Sequence, residues 1–447
     1  MQYSLFKTSL GKKLNNGSGF SDPNFVGNKT KPIHRWVPWI AGFSGDFVKD
    51  VIDQSLSKKS VVLDPFAGVG TTLVEAYLSG HDVIGFEINP YAALASRVKL
   101  TAPYFDVNSL RDTIRLLLGF FTNSLNNGYL PKSKPPEGFR SRIEFFSPSI
   151  LHKVLIIQDF IQGLEDKRTS EIFQLAFASV MVSFSNYSYE PSLGTRKAAG
   201  KTGIEDSSVI DRLYGKLEDM ANDIEEIASR LPAKKPKALV INDSFFLCQK
   251  HVRAGRIDLC VTSPPYLNNY HYIRNTRPHL YWLGFVSSPG DTEYLEQNNF
   301  GKFWQTVREL DNVPLDFPEP PSSLVKQLNQ LRSIKHERGA YGGNGWANYA
   351  ASYFNDCYRF AKCLKYSLKP GAQAFVVVGN SILQGVMIPT DLYLGEIAER
   401  AGLRLVGVET PRHTRVGNSI IQSEVRVKKA QSNHRLYESV VHLTKLK

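Results

Sequence analysis

A short apolar run, residues 257–261 (IDLCV), leads into Thr262-Ser263-Pro264-Pro265-Tyr266. Two consecutive prolines donate no N–H and hold φ near about −65°, so the run reads as a buried strand ending in a stiff corner. That corner presents the Ser263 hydroxyl, the Pro264 carbonyl and the Tyr266 ring at the rim of a sheet. Ligands of open α/β sheets bind outside the carboxyl ends of strands. Taken alone, the four residues from Ser263 read as a Pro-Pro turn with a packed tyrosine; a second stretch, residues 64–72, shifts the reading towards chemistry.

Residues 60–63 (SVVL) form a short strand, and Asp64-Pro65-Phe66-Ala67-Gly68-Val69-Gly70-Thr71-Thr72 follows as a Gly-containing turn. A helix over 73–78 is stopped by Gly80 in the C′ position. Residues 82–87 (DVIGFE) are the next strand, and Asn89-Pro90 starts another helix with Asn as N-cap and Pro at N1. Such a β-turn-α-β unit binds a nucleoside-bearing cofactor: glycines let the backbone approach, and the acid at the second strand's end takes the ribose hydroxyls. The pattern lacks the third glycine of the dinucleotide type and opens on Asp64, whose carboxylate would repel a pyrophosphate. A cationic cofactor fits better, and S-adenosyl-L-methionine carries a sulfonium and an ammonium. The candidate contacts are Trp39, Asp64, Phe66, Gly68, Gly70, Thr71, Thr72, Glu87, Ile88, Asp243 and Ser244. Asp243 follows a strand over 238–241 and could accept from the adenine amino group.

These elements sit in a chain of 447 residues, 42% hydrophobic and 21% charged, ordinary for a globular protein and long enough for more than one domain or for large insertions. A net charge of +12 points to an anionic partner such as nucleic acid. Cys248, Cys260, Cys357 and Cys363 include no CxxC pair, so neither a zinc site nor a disulfide framework is indicated, and reduced thiols of a cytoplasmic protein are expected. Residues 1–30 are polar, without a signal-peptide core, and no run reaches transmembrane length. No membrane association and no metal are expected.

Residues 1–30 read as a flexible arm. The stretch 34–43 mixes His34, Arg35, Trp36 and Trp39 with apolar residues, and the two tryptophans suit core packing or a ligand-facing role equally. Ser44 caps a helix through Phe47, Val48, Val51 and Ile52. Residues 101–236 read as a helical insertion, with helices over 150–164, 172–184 and 211–231, the last with acidic solvent positions. Within it, 185–208 is a long loop, either solvated or touching DNA through Tyr187, Tyr189, Arg196, Lys197 and Lys201. Residues 267–274 are aromatic and polar and stay at the rim. Residues 286–346 read as irregular, a candidate target-recognition region. A helix over 349–368, a strand over 373–378, a helix over 391–401 and strands over 403–409 and 438–444 follow. The methyl-donor domain is thus assembled from 31–100, 237–285 and 347–447.

With these stretches in hand, the chain resembles the amino-directed DNA methyltransferases, S-adenosylmethionine enzymes that methylate cytosine N4 or adenine N6. The resemblance also takes in residues 33–43, Val377-Val378-Gly379-Asn380-Ser381 and the closing strand. It implies a Rossmann-like α/β sheet with helices on both faces. The family's catalytic tetrapeptide is D/N/S-P-P-Y/F/W, and the serine form looks like the cytosine-N4 group. Here the cofactor motif precedes the catalytic motif, whereas many relatives are permuted. The insertion before Asp243 also departs from compact members. The resemblance implies that Ser263 Oγ and the Pro264 carbonyl accept from the target amino group, localising a lone pair otherwise spread into the ring. Pro265 stiffens the corner, and the Tyr266 face stacks on a base flipped out of the duplex. Expected partners are double-stranded DNA and a cognate restriction endonuclease. The alternatives are adenine-N6 methylation, an RNA guanine-N2 methyltransferase and a non-catalytic nucleic-acid-binding relative.

Overall fold

The computed structural model describes residues 20–23, 25–39, 42–189, 192–267, 272–412 and 436–447. Among them the strands are, in chain order, β1 Val61–Asp64, β2 Asp82–Phe86, β3 Tyr187–Tyr189, β4 Leu193–Thr195, β5 Ala238–Ile241, β6 Ile257–Thr262, β7 Leu368–Gly379, β8 Ser381–Leu383, β9 Val386–Ile388, β10 Arg404–Arg412 and β11 Glu438–Thr444. One seven-stranded sheet runs in the order β10-β11-β7-β6-β1-β2-β5. From β5 to β7 the strands are parallel; β11 lies antiparallel to β7, and β10 antiparallel to β11.

A parallel sheet must be covered on both faces, so its strands read as continuous apolar runs. Val62, Phe375 and Val377 belong to one buried cluster, with the helices Gly45–Ser55, Thr71–Leu78 and Pro90–Thr101. Val61, Leu63, Val376 and Val378 belong to the other, with Gly343–Ser367 and Thr390–Arg400. Each fully buried Val or Leu stabilises the fold by roughly 1.5–3 kcal/mol. The expected caps form: Ser44 accepts from the Asp46 N–H, Asn89 accepts from the Tyr91 N–H with Pro90 behind it, and Gly80 takes φ 87° just past the helix Thr71–Leu78. From β1 the chain steps outward to β2 and β5, then returns to β6 and β7 on the other side. The crevice at that reversal, between β1 and β6, is where this class of sheet takes its ligands.

The structure departs from the sequence expectations in several places. Residues 101–236 are helical, but they also hold Val107–Asn126, which sequence reading did not single out. The 185–208 segment is not one long loop: it contains the β3–β4 hairpin and a 3-10 turn, Arg196–Ala199. The span 286–346 is more regular than expected, with helices Pro289–Gln297, Trp304–Val307 and Ser322–Ser333 and the 3-10 segment His336–Tyr341. Local signals account for two of them. Ser288 and Asp291 form a capping box around Pro289, and Leu324, Leu328 and Leu331 bury one face of Ser322–Ser333. Of the expected N-terminal arm, residues 1–19 and 24 lie outside the described residues, but Phe20 and Asn28 pack onto the domain. Phe20 meets Phe47 and Phe375 edge-on at 5.7 and 5.6 Å, and the buried Asn28 side chain bonds the Phe43 carbonyl and the Gly45 N–H. Of the 267–274 rim, 268–271 lie outside the described residues, and Tyr272 opens the helix Tyr272–Trp282. Among the described residues no helix is long and apolar enough to cross a membrane.

Candidate active site

A cleft open to solvent, about 810 Å³ with the open space at its mouth included, sits at the switch point. The segments just past four neighbouring strands supply its wall: Phe66 and Gly68 after β1, Glu87 and Ile88 after β2, Asp243 and Ser244 after β5, and Ser263 and Pro265 after β6. Trp39 and Thr71 complete the residues expected from sequence that line it. Asp64, Gly70, Thr72, Pro264 and Tyr266 do not.

The non-lining residues hold the wall in place. Asp64 is fully buried, accepting from the Thr262 hydroxyl at 2.6 Å and the Phe66 N–H at 3.0 Å. It therefore ties the end of β1 to the end of β6, and its carboxylate lies beneath the cleft rather than facing it. Burial pushes its pKa up to about 6 against the pull of those hydrogen bonds. The Thr72 hydroxyl donates to the Val261 carbonyl at 3.1 Å, a second tie between the two motifs. Gly70 has φ 88°, and a Cβ there would sit 2.9 Å from Ser96 Oγ, so only glycine lets the helix Pro90–Thr101 come this close. The Pro265 carbonyl accepts from the buried Tyr353 hydroxyl at 3.0 Å, and the Tyr266 hydroxyl donates to Glu438 Oε1 at 3.2 Å.

Glu87 spans the mouth of the Gly-rich turn. One carboxylate oxygen accepts from the Gly68 N–H and the other from the Asn89 N–H, both at 2.8 Å. Burial raises its pKa to about 7, although both N–H groups favour the charged form. Gly68 has φ 51°, and a Cβ there would meet the Trp39 indole nitrogen at 3.4 Å. Asp243 pairs with His251 Nε2 at 2.7 Å, and Ser244 Oγ donates to the Asn298 carbonyl at 2.8 Å. The Ser263 hydroxyl has no hydrogen-bond partner among the described residues and faces the cleft. The two tryptophans divide: Trp36 is fully buried, whereas Trp39 lines the cleft and stacks on Tyr272 at 5.8 Å and 16°. Tyr272 lies in the 267–274 stretch expected at the rim, whereas Asn298, Asn299 and Phe300 were missed as lining residues. The capping box at Ser288 marks the start of the helix Pro289–Gln297, and Asn298-Asn299, residues suited to a helix end, follow it.

The family model that matches is described as a DNA methylase and covers residues 23–97, from the packed arm through the turn to the helix after Glu87. The chain is 23% identical over 432 residues to the Type II methyltransferase M.BsoBI of Geobacillus stearothermophilus, covering 89% of this chain and 83% of that protein. It is 24% identical to M.MvaI of Kocuria varians, across 88% and 86% of the two chains. It is 26% identical to M.AvaI of Nostoc sp., across 86% and 81%. Over most of its length the chain is therefore similar to amino-directed DNA methyltransferases, and residues 23–97 match that family's model. S-adenosyl-L-methionine is the cofactor of this methyltransferase. The cleft suits it: a carboxylate at the end of β2, a turn at Gly68 whose positive φ a side chain would strain, and an aromatic wall at Trp39. Among the described residues no group of three or more His, Cys, Asp or Glu side chains is arranged to hold a metal ion. The four cysteines carry free thiols.

Proposed function

We propose that this methyltransferase modifies the exocyclic N4 of a cytosine turned out of duplex DNA, at a specific sequence. The observation that carries the proposal is the Ser263 hydroxyl, unpaired among the described residues, in the same cleft as Glu87 and Gly68. S-adenosyl-L-methionine supplies the activated methyl group. Glu87 would accept from its ribose hydroxyls, Asp243 from its adenine amino group, and Gly68 would admit it close to the backbone. Phe66, Thr71, Ile88, Ser244 and Trp39 would shape the rest of its site. Ser263 Oγ and the Pro264 carbonyl would accept from the target amino group, drawing its lone pair towards the methyl group. Pro265, pinned by Tyr353, would keep that corner rigid, so that catalysis rests on positioning and electrostatics. Tyr266 would stack on the extruded base, recovering roughly 1–3 kcal/mol of the cost of flipping.

The names of the Type II relatives support a place beside a restriction endonuclease of the same specificity. A methyl-transfer assay on duplex DNA and on tRNA tests the substrate class: transfer to duplex DNA alone is expected, and transfer to tRNA alone would overturn the proposal. Sequence recognition is assigned to 185–208, to 286–345, or to both. Replacing either segment should change the methylated sequence, read by long-read sequencing of DNA from expressing cells, without changing cofactor affinity. An unchanged sequence after both replacements would move recognition elsewhere.

The proposed role of Glu87 sets a pH dependence. Its ionised form accepts from the ribose, and its pKa in the free protein is about 7, so protonation competes with cofactor binding. Affinity should be flat above about pH 8 and about tenfold weaker at pH 6, one unit below the pKa. Glu87→Gln should bind more weakly and lose the dependence. A wild-type affinity that stays level from pH 8 to pH 6 would contradict this role.

A further inference from the structure

We propose that Asp223, on the helical insertion, is a positioning residue for cofactor binding: it locks the turn at residues 33–36 so that Trp39 stays in the cleft wall. The proposal rests on the assignment of that cleft to S-adenosyl-L-methionine. Asp223 lies on the helix Val209–Ala228, where Asp211, Asp219, Glu225 and Glu226 are exposed; Asp223 alone among these acids is fully buried. Its carboxylate accepts from the Ile33 N–H and the Trp36 indole N–H, both at 2.8 Å. It also takes the Arg35 guanidinium through Nε at 3.1 Å and Nη2 at 2.5 Å. These donors together use the four lone-pair sites a carboxylate offers.

The turn needs holding. Ile33 has φ 65° and ψ −47°, a conformation that a β-branched residue avoids and that persists only where surroundings impose it. The opposite side of the turn is gripped by the catalytic domain: His34 Nε2 pairs with Glu75 Oε1 at 2.9 Å, and Lys99 Nζ donates to the His34 carbonyl at 3.4 Å. From the clamp to the cleft the chain is stiff. Pro38 fixes its own φ and confines Val37 to extended backbone, as observed at φ −122° and ψ 121°. The next residue is Trp39, beside Gly68 and stacked on Tyr272. The insertion thus reaches the cofactor wall through four residues with little freedom between them.

If the clamp opens, only a fraction of molecules presents a complete cleft, and the apparent dissociation constant rises by the inverse of that fraction. Asp223→Asn keeps the shape but loses the charge that pairs with Arg35. S-adenosyl-L-methionine titrated calorimetrically should then bind about tenfold more weakly, the loss typical of one charge-assisted hydrogen bond. Turnover on DNA at saturating cofactor should be unchanged, and the exposed control Asp219→Asn should bind normally. In Asp223→Asn combined with Trp39→Ala, the cofactor affinity should match Trp39→Ala alone, because both changes act on one wall. Normal affinity in Asp223→Asn, even with a lowered melting temperature, would overturn the proposal, as would losses that add in the double variant. Should Asp223→Asn fail to fold, Trp36→Phe removes a single donor while keeping a ring; weakened cofactor binding there supports the proposal, and normal affinity overturns it. A wild-type protein that binds no S-adenosyl-L-methionine would instead remove the cleft's assignment, and the proposal with it.

Discussion

Ser263→Ala is expected to lower turnover by about 10²–10³-fold, the loss typical of one preorganised hydrogen bond at a reacting atom, while cofactor affinity stays the same. The corner does not depend on this hydroxyl. Pro265 is held by Tyr353, and Thr262 by Asp64, whereas Ser263 Oγ bonds to no described residue. Alanine should therefore leave the fold and the cofactor site intact and remove one of two acceptors from the target nitrogen. Rapid-quench turnover beside calorimetry separates the effects. If Ser263 only shaped the turn, alanine would lower the melting temperature and leave turnover per folded molecule near wild type. Tyr266→Ala should act differently, weakening capture of the extruded base most on fully paired DNA and least where the target base is mismatched, since a mismatch has less stacking and pairing to give up.

DNA affinity is expected to fall steeply with salt. A protein that neutralises six or more phosphates releases the ions condensed on them, giving a log–log slope of about −5 or steeper and a loss of at least about 10³ between 50 and 200 mM. The charge is distributed to suit. Residues 101–236 carry 17 basic and 17 acidic side chains, whereas 347–447 carry 14 basic against 7 acidic. The excess behind the net +12 therefore lies in the domain that bears the cleft and not in the helical insertion. Nitrocellulose or fluorescence titrations across that salt range read the slope directly. A slope near zero would mean that the positive charge does not meet phosphate.

Much of the sheet was legible because the central parallel strands β1 and β6 are buried on both faces and announce themselves as apolar runs, and the edge strand β5, though partly exposed, is apolar in sequence as well. The strands over 238–241 and 438–444 fall at the expected residues, and Asn89-Pro90 starts its helix as its capping chemistry requires. The cleft was half legible. Gly68 and Glu87 are 19 residues apart in sequence and joined by a hydrogen bond, a spacing set by one β-turn-α-β unit and so readable locally. Tyr272 was legible as part of the aromatic rim 267–274 but not as a helix start, because Pro278 sits inside its helix, and a proline in a polar, aromatic stretch argues against helix. Asp223 sits on a helix whose acidic positions read as solvated, and nothing in the sequence singles it out from them. Its partner Ile33 lies 190 residues away, beyond anything helical periodicity can report. Asp64 shows the converse: its type was informative, but a carboxylate thought to face a cation instead ties two strands together.

Nucleoside mass spectrometry of duplex DNA treated with the purified protein and S-adenosyl-L-methionine tests the central claim most directly. The account predicts N4-methylcytosine, formed only with cofactor and sharply reduced with Ser263→Ala. N6-methyladenine alone would keep the chemistry of the corner and contradict the cytosine assignment; 5-methylcytosine, or no methylated nucleoside at all, would contradict the account itself.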